Sequence, residues 1–429
     1  MAREMKDSGI QWIGEIPKSW ITTKIKNLPN NEENSYIDGD WIESPYITDN
    51  GIRYLTTGNI GDGHYKEQGD GYISEDTFVT LKCKYAYPGD LVFSRLNEPY
   101  GRSCILPNFH PKYVLAVDNV ILRTNENKSY ICYVSQCKGF QNSVLDMARG
   151  TTMKRISRVN LGSVIIPLPS NKEQNRIASF LDSKCAEIDK AIEATKASIE
   201  EYKKLRQAII TEAVTKGLDP NVEMKDSGIE WIGEIPHDWK DSKIGQLYSE
   251  RKEKVSDRDY EPLSVTMQGI VPQLSTAAKS DAHDDRKLVR KGDFAINSRS
   301  DRRGSCGISD YDGSVSLINT ILKPRESMNP EYYNWLFHTT MFADEFYKWG
   351  HGIVDDLWTT NWSEMKSICI PTPPLFEQHR IASYLDSKCA EIDSLIKSKE
   401  KLIEELTAYR KSLIYEYVTG KKEVPIESA

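Results

Sequence analysis

Glu173-Gln-Asn-Arg-Ile-Ala-Ser-Phe-Leu-Asp-Ser-Lys-Cys-Ala-Glu-Ile-Asp189 occurs again, almost unchanged, as Glu377-Gln-His-Arg-Ile-Ala-Ser-Tyr-Leu-Asp-Ser-Lys-Cys-Ala-Glu-Ile-Asp393, 204 residues further on (377 − 173). No Pro or Gly interrupts the first copy before Gly217 or the second before Gly420, so each can run as one helix. In the first copy Leu181, Cys185, Ile188, Ile192, Thr195, Ile199 and Tyr202 form a seam with steps of four and three, and Ile209 lies one heptad beyond. In the second the seam is Leu385, Cys389, Ile392, Ile396, Lys399, Ile403, Leu406 and Leu413. A mean step of about 3.5 residues is coiled-coil spacing, with Glu and Lys on the outside. Such a helix extends roughly 65 Å, too far for one globular core to cover. The spacing predicts that the two copies pack on each other.

Around these helices, 429 residues with 39% hydrophobic content can bury several cores, which predicts two or more domains. No stretch approaches a membrane span and Met1-Ala-Arg-Glu-Met-Lys6 is not a signal peptide, so a cytoplasmic protein with no membrane partner is expected. The eight Cys include no Cys-x-x-Cys pair, which argues against a zinc site or disulfide framework and fits a reducing compartment. A formal charge of −7 argues against a chain that grips nucleic acid over its whole surface. It leaves open a basic face on one domain, or a partner that supplies the positive charge.

A second stretch is also duplicated. Met5-Lys-Asp-Ser-Gly-Ile-Gln-Trp-Ile-Gly-Glu-Ile-Pro-Lys-Ser-Trp20 returns as Met224-Lys-Asp-Ser-Gly-Ile-Glu-Trp-Ile-Gly-Glu-Ile-Pro-His-Asp-Trp239, 219 residues on (224 − 5). Gly and Pro break any helix here while Ile and Trp recur as anchors, so this reads as an apolar hook docking on a neighbouring surface. An ordinary turn with buried Trp covers the chemistry equally well but does not explain the duplication. Between hook and helix, from Thr22 to Ser163, β-prone runs such as Arg53–Thr57, Asp90–Ser94 and Asn119–Arg123 alternate with Gly, Asn, Asp and Pro turns. A helical segment near Ser129–Met147 and a closing run Val164–Pro169 follow. The counterpart spans Lys243–Ser367 and ends in Ile368-Cys-Ile-Pro-Thr-Pro373. Two echoes relate the middles: Gly89-Asp-Leu-Val-Phe-Ser-Arg95 with Gly292-Asp-Phe-Ala-Ile-Asn-Ser-Arg299, and Gly58-Asn-Ile60 with Gly269-Ile270.

The fold class predicted is α+β. Two mixed globular domains are joined by two long helices in a coiled coil, and this internal repeat can close on a pseudo-two-fold axis if the helices run antiparallel. Residues 1–170 hold the first hook and domain, 171–218 the central helix, 219–374 the second hook and domain, and 375–429 the distal helix and tail. Hooks and helices are nearly identical between the halves; the middles share a frame and little else. Kept copies suggest one partner type bound twice or one structural task done twice. Divergent middles suggest two different ligands of one general kind.

The hook pattern Asp-Ser-Gly-Ile-x-Trp-Ile-Gly-Glu-Ile-Pro-x-x-Trp and the Glu-Gln-x-Arg-Ile-Ala-x-x-Leu-Asp helix, present twice in this order along the whole chain, resemble the specificity subunit of type I restriction–modification systems. The resemblance implies two target-recognition domains, each reading one half of a bipartite double-stranded DNA site, separated by a conserved antiparallel helix pair. It implies as partners two adenine-methylating modification subunits bound by the helices, joined by two motor-nuclease restriction subunits. It further implies a non-catalytic chain, with S-adenosylmethionine, ATP and Mg on the partner subunits. One departure is Trp358-Thr-Thr-Asn-Trp362 in the second copy, where the first has Lys154-Arg-Ile-Ser-Arg158.

The residues read as non-catalytic as well. Thr419-Gly-Lys-Lys422 lacks the Gly-rich loop of an ATP site, and Asn329-Pro-Glu-Tyr332 reads as a helix N-terminus. The seven His show no metal-like pairing, and Asp284-Asp285 and Asp355-Asp356 read as loop or cap residues. Candidates for DNA contact in the first domain are Arg95, Asn97, Tyr100 and Arg102, with Lys154, Arg155 and Arg158 before the helix. The second domain offers Arg299, Arg302 and Arg303, with Arg286, Lys287, Arg290 and Lys291 upstream. The bland alternative for this run is a turn whose Arg residues pair with Asp301 and with Asp281, Asp284 or Asp285. Arg176, Glu187, Arg380 and Glu391 lie off the seam and are repeated, which marks them as candidates for the modification-subunit surface. Two other classes stay open: a coiled-coil adaptor presenting two protein-binding domains, and an enzyme with a degenerate active site.

Overall fold

The computed structural model describes residues 3–150, 154–274, 284–352 and 358–425. Two long helices, Asn171–Lys216 and Leu375–Val418, dominate it. The chain falls into two compact units, Met1–Thr195 with Lys401–Ala429, and Lys196–Glu400. The unit boundaries therefore lie inside the helices and not at their ends. The reason is packing: each globular middle sits on the start of one long helix and the end of the other.

In the first unit Leu181, Cys185 and Ile188 share a core with Leu413, Ile414, Tyr417 and Val418. In the second, Ile210, Ala213 and Val214 share one with Ile381, Leu385 and Cys389. Early residues of one helix meet late residues of the other, so the pair runs antiparallel within each unit. Along the seam Leu181, Ile188, Ile199, Leu385 and Ile392 are buried, whereas Ile192, Ile396 and Ile403 are half-buried. The seam also drifts: Ile209 is half-buried and Ile210 takes the inside position, as a 3.6-residue helix does against a 3.5-residue repeat.

The first middle contains two four-stranded sheets. One orders Tyr36–Asp38, Asn119–Leu122, Leu91–Ser94 and Ser103–Ile105, all antiparallel. The other orders Tyr72–Ile73, Ile52–Leu55, Tyr113–Leu115 and Tyr85–Ala86, with one parallel pair. Leu91 and Phe93 face the helical core, while Val92 between them faces the core shared by the sheets. A strand buried on both faces needs apolar residues at every position, which is why this run lacks alternation. Asn127 caps the helix Lys128–Ser135, which is followed by Lys138–Asp146, so the single helical segment expected here is two. The second middle repeats the scheme with Tyr248–Glu250, Asn319–Pro324, Phe294–Asn297 and Cys306–Ile308 in one sheet. Helices Pro330–Phe337 and Thr340–Lys348 cover it, and Asn329 is the N-cap of the first.

Each hook docks beside the end of a long helix. In the first unit Met5–Ile10 and Gly14–Pro17 pair as a hairpin, burying Ile13, Ile16 and Trp20. A side chain on Gly420 would meet Pro17 Cδ at 2.4 Å, so only glycine admits this approach. Lys421 Nζ donates to the Glu15 carbonyl at 2.8 Å. In the second unit Pro236 and Trp239 take the same place against Gly217. The chemistry of the duplicated Glu-Gln now has a structural cause. Glu173 and Glu377 accept the indole N–H of Trp20 and Trp239, each at 2.9 Å. Gln174 and Gln378 accept the backbone N–H of the caps Asn127 and Asn329, at 2.9 and 2.8 Å.

Candidate nucleic-acid interface

In each unit the strand after the Gly-Asp turn ends at an open loop, and a later segment returns to cap it. In the first, Ser94 N donates to Arg102 O, Arg95 N to Asp118 O, and Ile156 N to Arg95 O. In the second, Asn297 N donates to Ser305 O, Ser298 N to Ile318 O, and Thr360 N to Ser298 O. These bonds equate Ser94 with Asn297, Arg95 with Ser298, and Leu96 with Arg299. The paired bridges Leu96–Arg155 and Arg149–Arg155, against Arg299–Thr359 and His351–Thr359, continue the same frame. The sequence echo that set Arg95 against Arg299 is thus displaced by one residue. Side chains alternate along extended chain, so one residue separates an inward side chain from an outward one.

The displacement decides the fate of both arginines. Arg95 is 5% exposed; it donates to the carbonyls of Ile156 and Val117 and pairs with Asp38 at 3.1 Å. Arg102 is likewise buried and donates to the carbonyls of Ile60, Thr57, Asn97 and Leu96 at 2.6 to 3.0 Å. Burial pulls both guanidiniums below their ordinary pKa, with Asp38 opposing this at Arg95 and Asp62 at Arg102. Neither side chain is available to a base, and we reassign both as braces of the loop. Arg299 is different. It is half-buried, and its guanidinium makes no hydrogen bond or ion pair among the described residues.

Around Arg299, Arg302 lies 3.6 Å from Asp301, and Arg303 pairs with Asp344 while its guanidinium sits over the Tyr347 ring. Asp285 pairs with Lys254 instead, while Asp281, Asp355 and Asp356 lie outside the described residues. Upstream, Arg286 is buried and donates to Ser314 Oγ at 2.8 Å and Ser314 O at 3.0 Å; Lys287 donates to Asn319 O at 2.7 Å. Desolvation lowers the pKa of both. These two, expected at the interface, serve the sheet because they lie within a strand. Arg290 pairs with Asp312 at 2.9 Å, and Lys291 is exposed.

In the first unit the exposed edge is Asn97, Lys154, Arg155 and Arg149. Asn97 adopts a left-handed φ of 63°, which an Asn tolerates. Arg155 pairs with Asp118, and Arg158 with Asp38 at 2.9 Å beneath the Tyr36 ring. Tyr100 lines a cavity together with Trp12, Asp62 and Lys411. Arg149 and its equivalent His351 escaped sequence reasoning, because only the tertiary bridge brings them beside the loop. Arg176, Arg380, Glu187 and Glu391 are all exposed. Arg176 donates to the Val424 carbonyl at 3.1 Å, and each Glu pairs with the Lys three residues before it at 2.8 Å. Among the described residues no group of three His, Cys, Asp or Glu could hold a metal ion, and no helix is long and apolar enough to cross a membrane.

Comparison with known proteins bears on what such a frame is for. Residues 11–201 and 236–408 match the family described as type I restriction modification DNA specificity domain. A protein of Methanocaldococcus jannaschii named as the MjaX type I restriction enzyme specificity subunit is 26% identical over 95% of both chains. The EcoBI specificity subunit of Escherichia coli is 21% identical, over 98% of this chain and 90% of its own. The fold is similar to a chain from a structural study of assembly and conformational transition in a type I R-M system, with a TM-score of 0.69, 14% identity, and coverage of 95% of this chain and 99% of that one. It is also similar to the HsdS subunit of Thermoanaerobacter tengcongensis, with a TM-score of 0.55, 15% identity, and coverage of 95% and 98%. With two matches to the family's domain, one in each unit, this chain belongs to the type I restriction–modification DNA specificity family.

Proposed function

We propose that the chain is a two-headed reader of double-stranded DNA, each unit recognising one half of a bipartite site. The observation that carries this is the position shared by Leu96 and Arg299. One backbone frame presents an apolar side chain in one unit and, in the other, a guanidinium with no partner among the described residues. Two heads on one frame with different exposed chemistry fit two different base sequences. Arg299 has the geometry to meet guanine O6 and N7, while Lys154 and Arg149 suit phosphates. The net charge of −7 is compatible with this, because a local basic edge such as Lys154 with Arg149 can meet DNA on a chain that is acidic overall.

In this reading the chain performs no bond chemistry. Two methylating modification subunits dock on the repeated helix surfaces that carry Arg176, Glu187, Arg380 and Glu391. Two restriction subunits complete the assembly, and S-adenosylmethionine, ATP and Mg belong to these partners. The long helices act as the ruler between half-sites. The test is replacement of residues 243–367 by the equivalent segment of a relative in the complete system. One half of the methylated motif should change and the other should stay. A change in both halves, or DNA binding insensitive to salt, would refute the reading in favour of a protein-binding adaptor.

A further inference from the structure

The second unit carries a two-stranded ribbon longer than its counterpart in the first. Leu263–Thr266 and Gly269–Pro272 form a two-stranded antiparallel ribbon closed by Met267-Gln268. In the first unit the 3-10 turn Thr57–Asn59 leads into a single bridge, Ile60–Tyr65, closed at Gly61–His64. The base of the ribbon is anchored, with Leu263 and Ile270 buried beside Val289, Ala295, Val315 and Ile321. Gly307 backs onto it so closely that a Cβ there would lie 2.8 Å from Gly269 Cα. The tip is fixed too. Thr266 Oγ1 donates to Gly269 O at 2.9 Å and accepts from Gln268 N at 3.1 Å.

This rigid tip holds out two side chains that the fold does not use. Met267 is 71% exposed. Gln268 is exposed, and its amide makes no bond among the described residues. Met267 stands beside the Arg299–Gly304 loop: a Cβ on Gly304 would contact Met267 Cε at 4.0 Å. A preorganised ribbon ending in an apolar group and a free carboxamide, flanked by arginines, matches the major groove in size and chemistry. That groove is about 12 Å wide and admits a two-stranded ribbon. A carboxamide pairs in bidentate fashion with adenine N6 and N7, and apolar groups pack on the thymine methyl.

We propose that the Met267-Gln268 tip enters the major groove of the half-site read by the second unit, where Gln268 reads the adenine of an A·T pair and Met267 packs on a thymine methyl. The proposal rests on the two-headed reading above. The probe is a randomised duplex library methylated by the complete reconstituted complex, with Gln268→Ala, Gln268→Asn and Met267→Ala each replacing the natural subunit. Gln268→Ala should lower discrimination at one A·T position by roughly 5- to 100-fold and leave the other half-site intact. Gln268→Asn, which keeps the carboxamide, should retain part of the preference, and Met267→Ala should relax preference for a thymine at the same or the adjacent pair. Thermal unfolding should be unchanged for all three, since neither side chain packs within the fold. An unaltered motif, a uniform loss across all sequences, or weakened binding of the modification subunit in place of a changed motif would overturn the assignment. Exchange of residues 243–367 separates the two levels. If the exchange alters one half-site and the tip variants do not, the ribbon assignment alone fails; if the exchange alters neither half-site, the two-headed reading fails with it.

Discussion

The indole N–H of Trp20 donates to the Glu173 carboxylate across 2.9 Å, joining the duplicated hook to the duplicated helix. The partners are 153 residues apart in sequence, and the second copy reproduces the bond between Trp239 and Glu377 at 2.9 Å. Both indoles are essentially buried. This accounts for much of the likeness between the halves without invoking any partner: hook and helix are each other's binding site.

Trp20→Phe and Trp239→Phe should each lower stability by about 2 kcal/mol, the scale of a hydrogen bond to a charged group. Urea unfolding of the two variants measures it. Equal midpoints for variant and natural chain would show that the bond contributes nothing.

The first hook and the end of the distal helix meet without a covalent joint, since Lys421 contacts Glu15 and Gly420 packs on Pro17. In the second unit the chain runs directly from helix to hook through residues 217–223. A permuted chain that begins at Met224, with a short linker joining the natural ends, should therefore fold with native circular dichroism and cooperative unfolding. Loss of cooperative unfolding would count against the contact.

Two arginines near the loops should behave in opposite ways. Arg102→Ala removes the donor to four loop carbonyls, that of Ile60 buried, and should destabilise the first unit by about 3 kcal/mol. Arg299→Ala should change stability by less than about 0.5 kcal/mol while relaxing one base preference in one half-site. Calorimetry together with the methylated motif distinguishes the two, and a reversed pattern would invalidate the assignment of inward and outward residues.

His338 should make the second unit sensitive to acid. Burial holds its pKa below the ordinary 6.5, with Nδ1 2.7 Å from the Asn334 carbonyl. The unfolded chain then binds a proton more readily than the folded one. Stability is full above about pH 6.5 and falls as the pH drops toward the folded value. His338→Gln should flatten that part of the profile, as read by urea midpoints at about pH 7.5 and pH 5.5. Identical slopes would show that His338 is not the responsible group.

A matched heptad added near Lys196 and Glu400 keeps the seam in phase and lengthens each helix by roughly 10 Å, on the order of three base pairs. The unread gap of the methylated motif should widen by a small whole number of bases while each half-site stays the same. DNA bending or twisting absorbs part of the mismatch at a few kcal/mol. An unchanged gap with full activity would reduce the helices to a docking surface.

The two repeats, the two uninterrupted helices and the α+β middles were all legible in the residues, because periodicity, glycine and proline act locally. The pairing of the helices also followed from the seam, since residues spaced at about 3.5 must find a partner, whereas their antiparallel direction came from the family resemblance. The roles of individual polar side chains did not. Arg95 and Arg299 occupy similar words of sequence, yet a shift of one residue turns the first inward to Asp38 and the second outward. Arg102 and Arg286 looked like DNA contacts because a charge run carries no mark of burial; only the carbonyls gathered around them reveal braces. Arg149 and the Met267-Gln268 tip gained meaning from neighbours that are distant in sequence. Local pattern determined which elements form. Which side of each element meets solvent was decided by tertiary packing, because exposure is set by what lies opposite a side chain in space, and adjacent residues do not encode that.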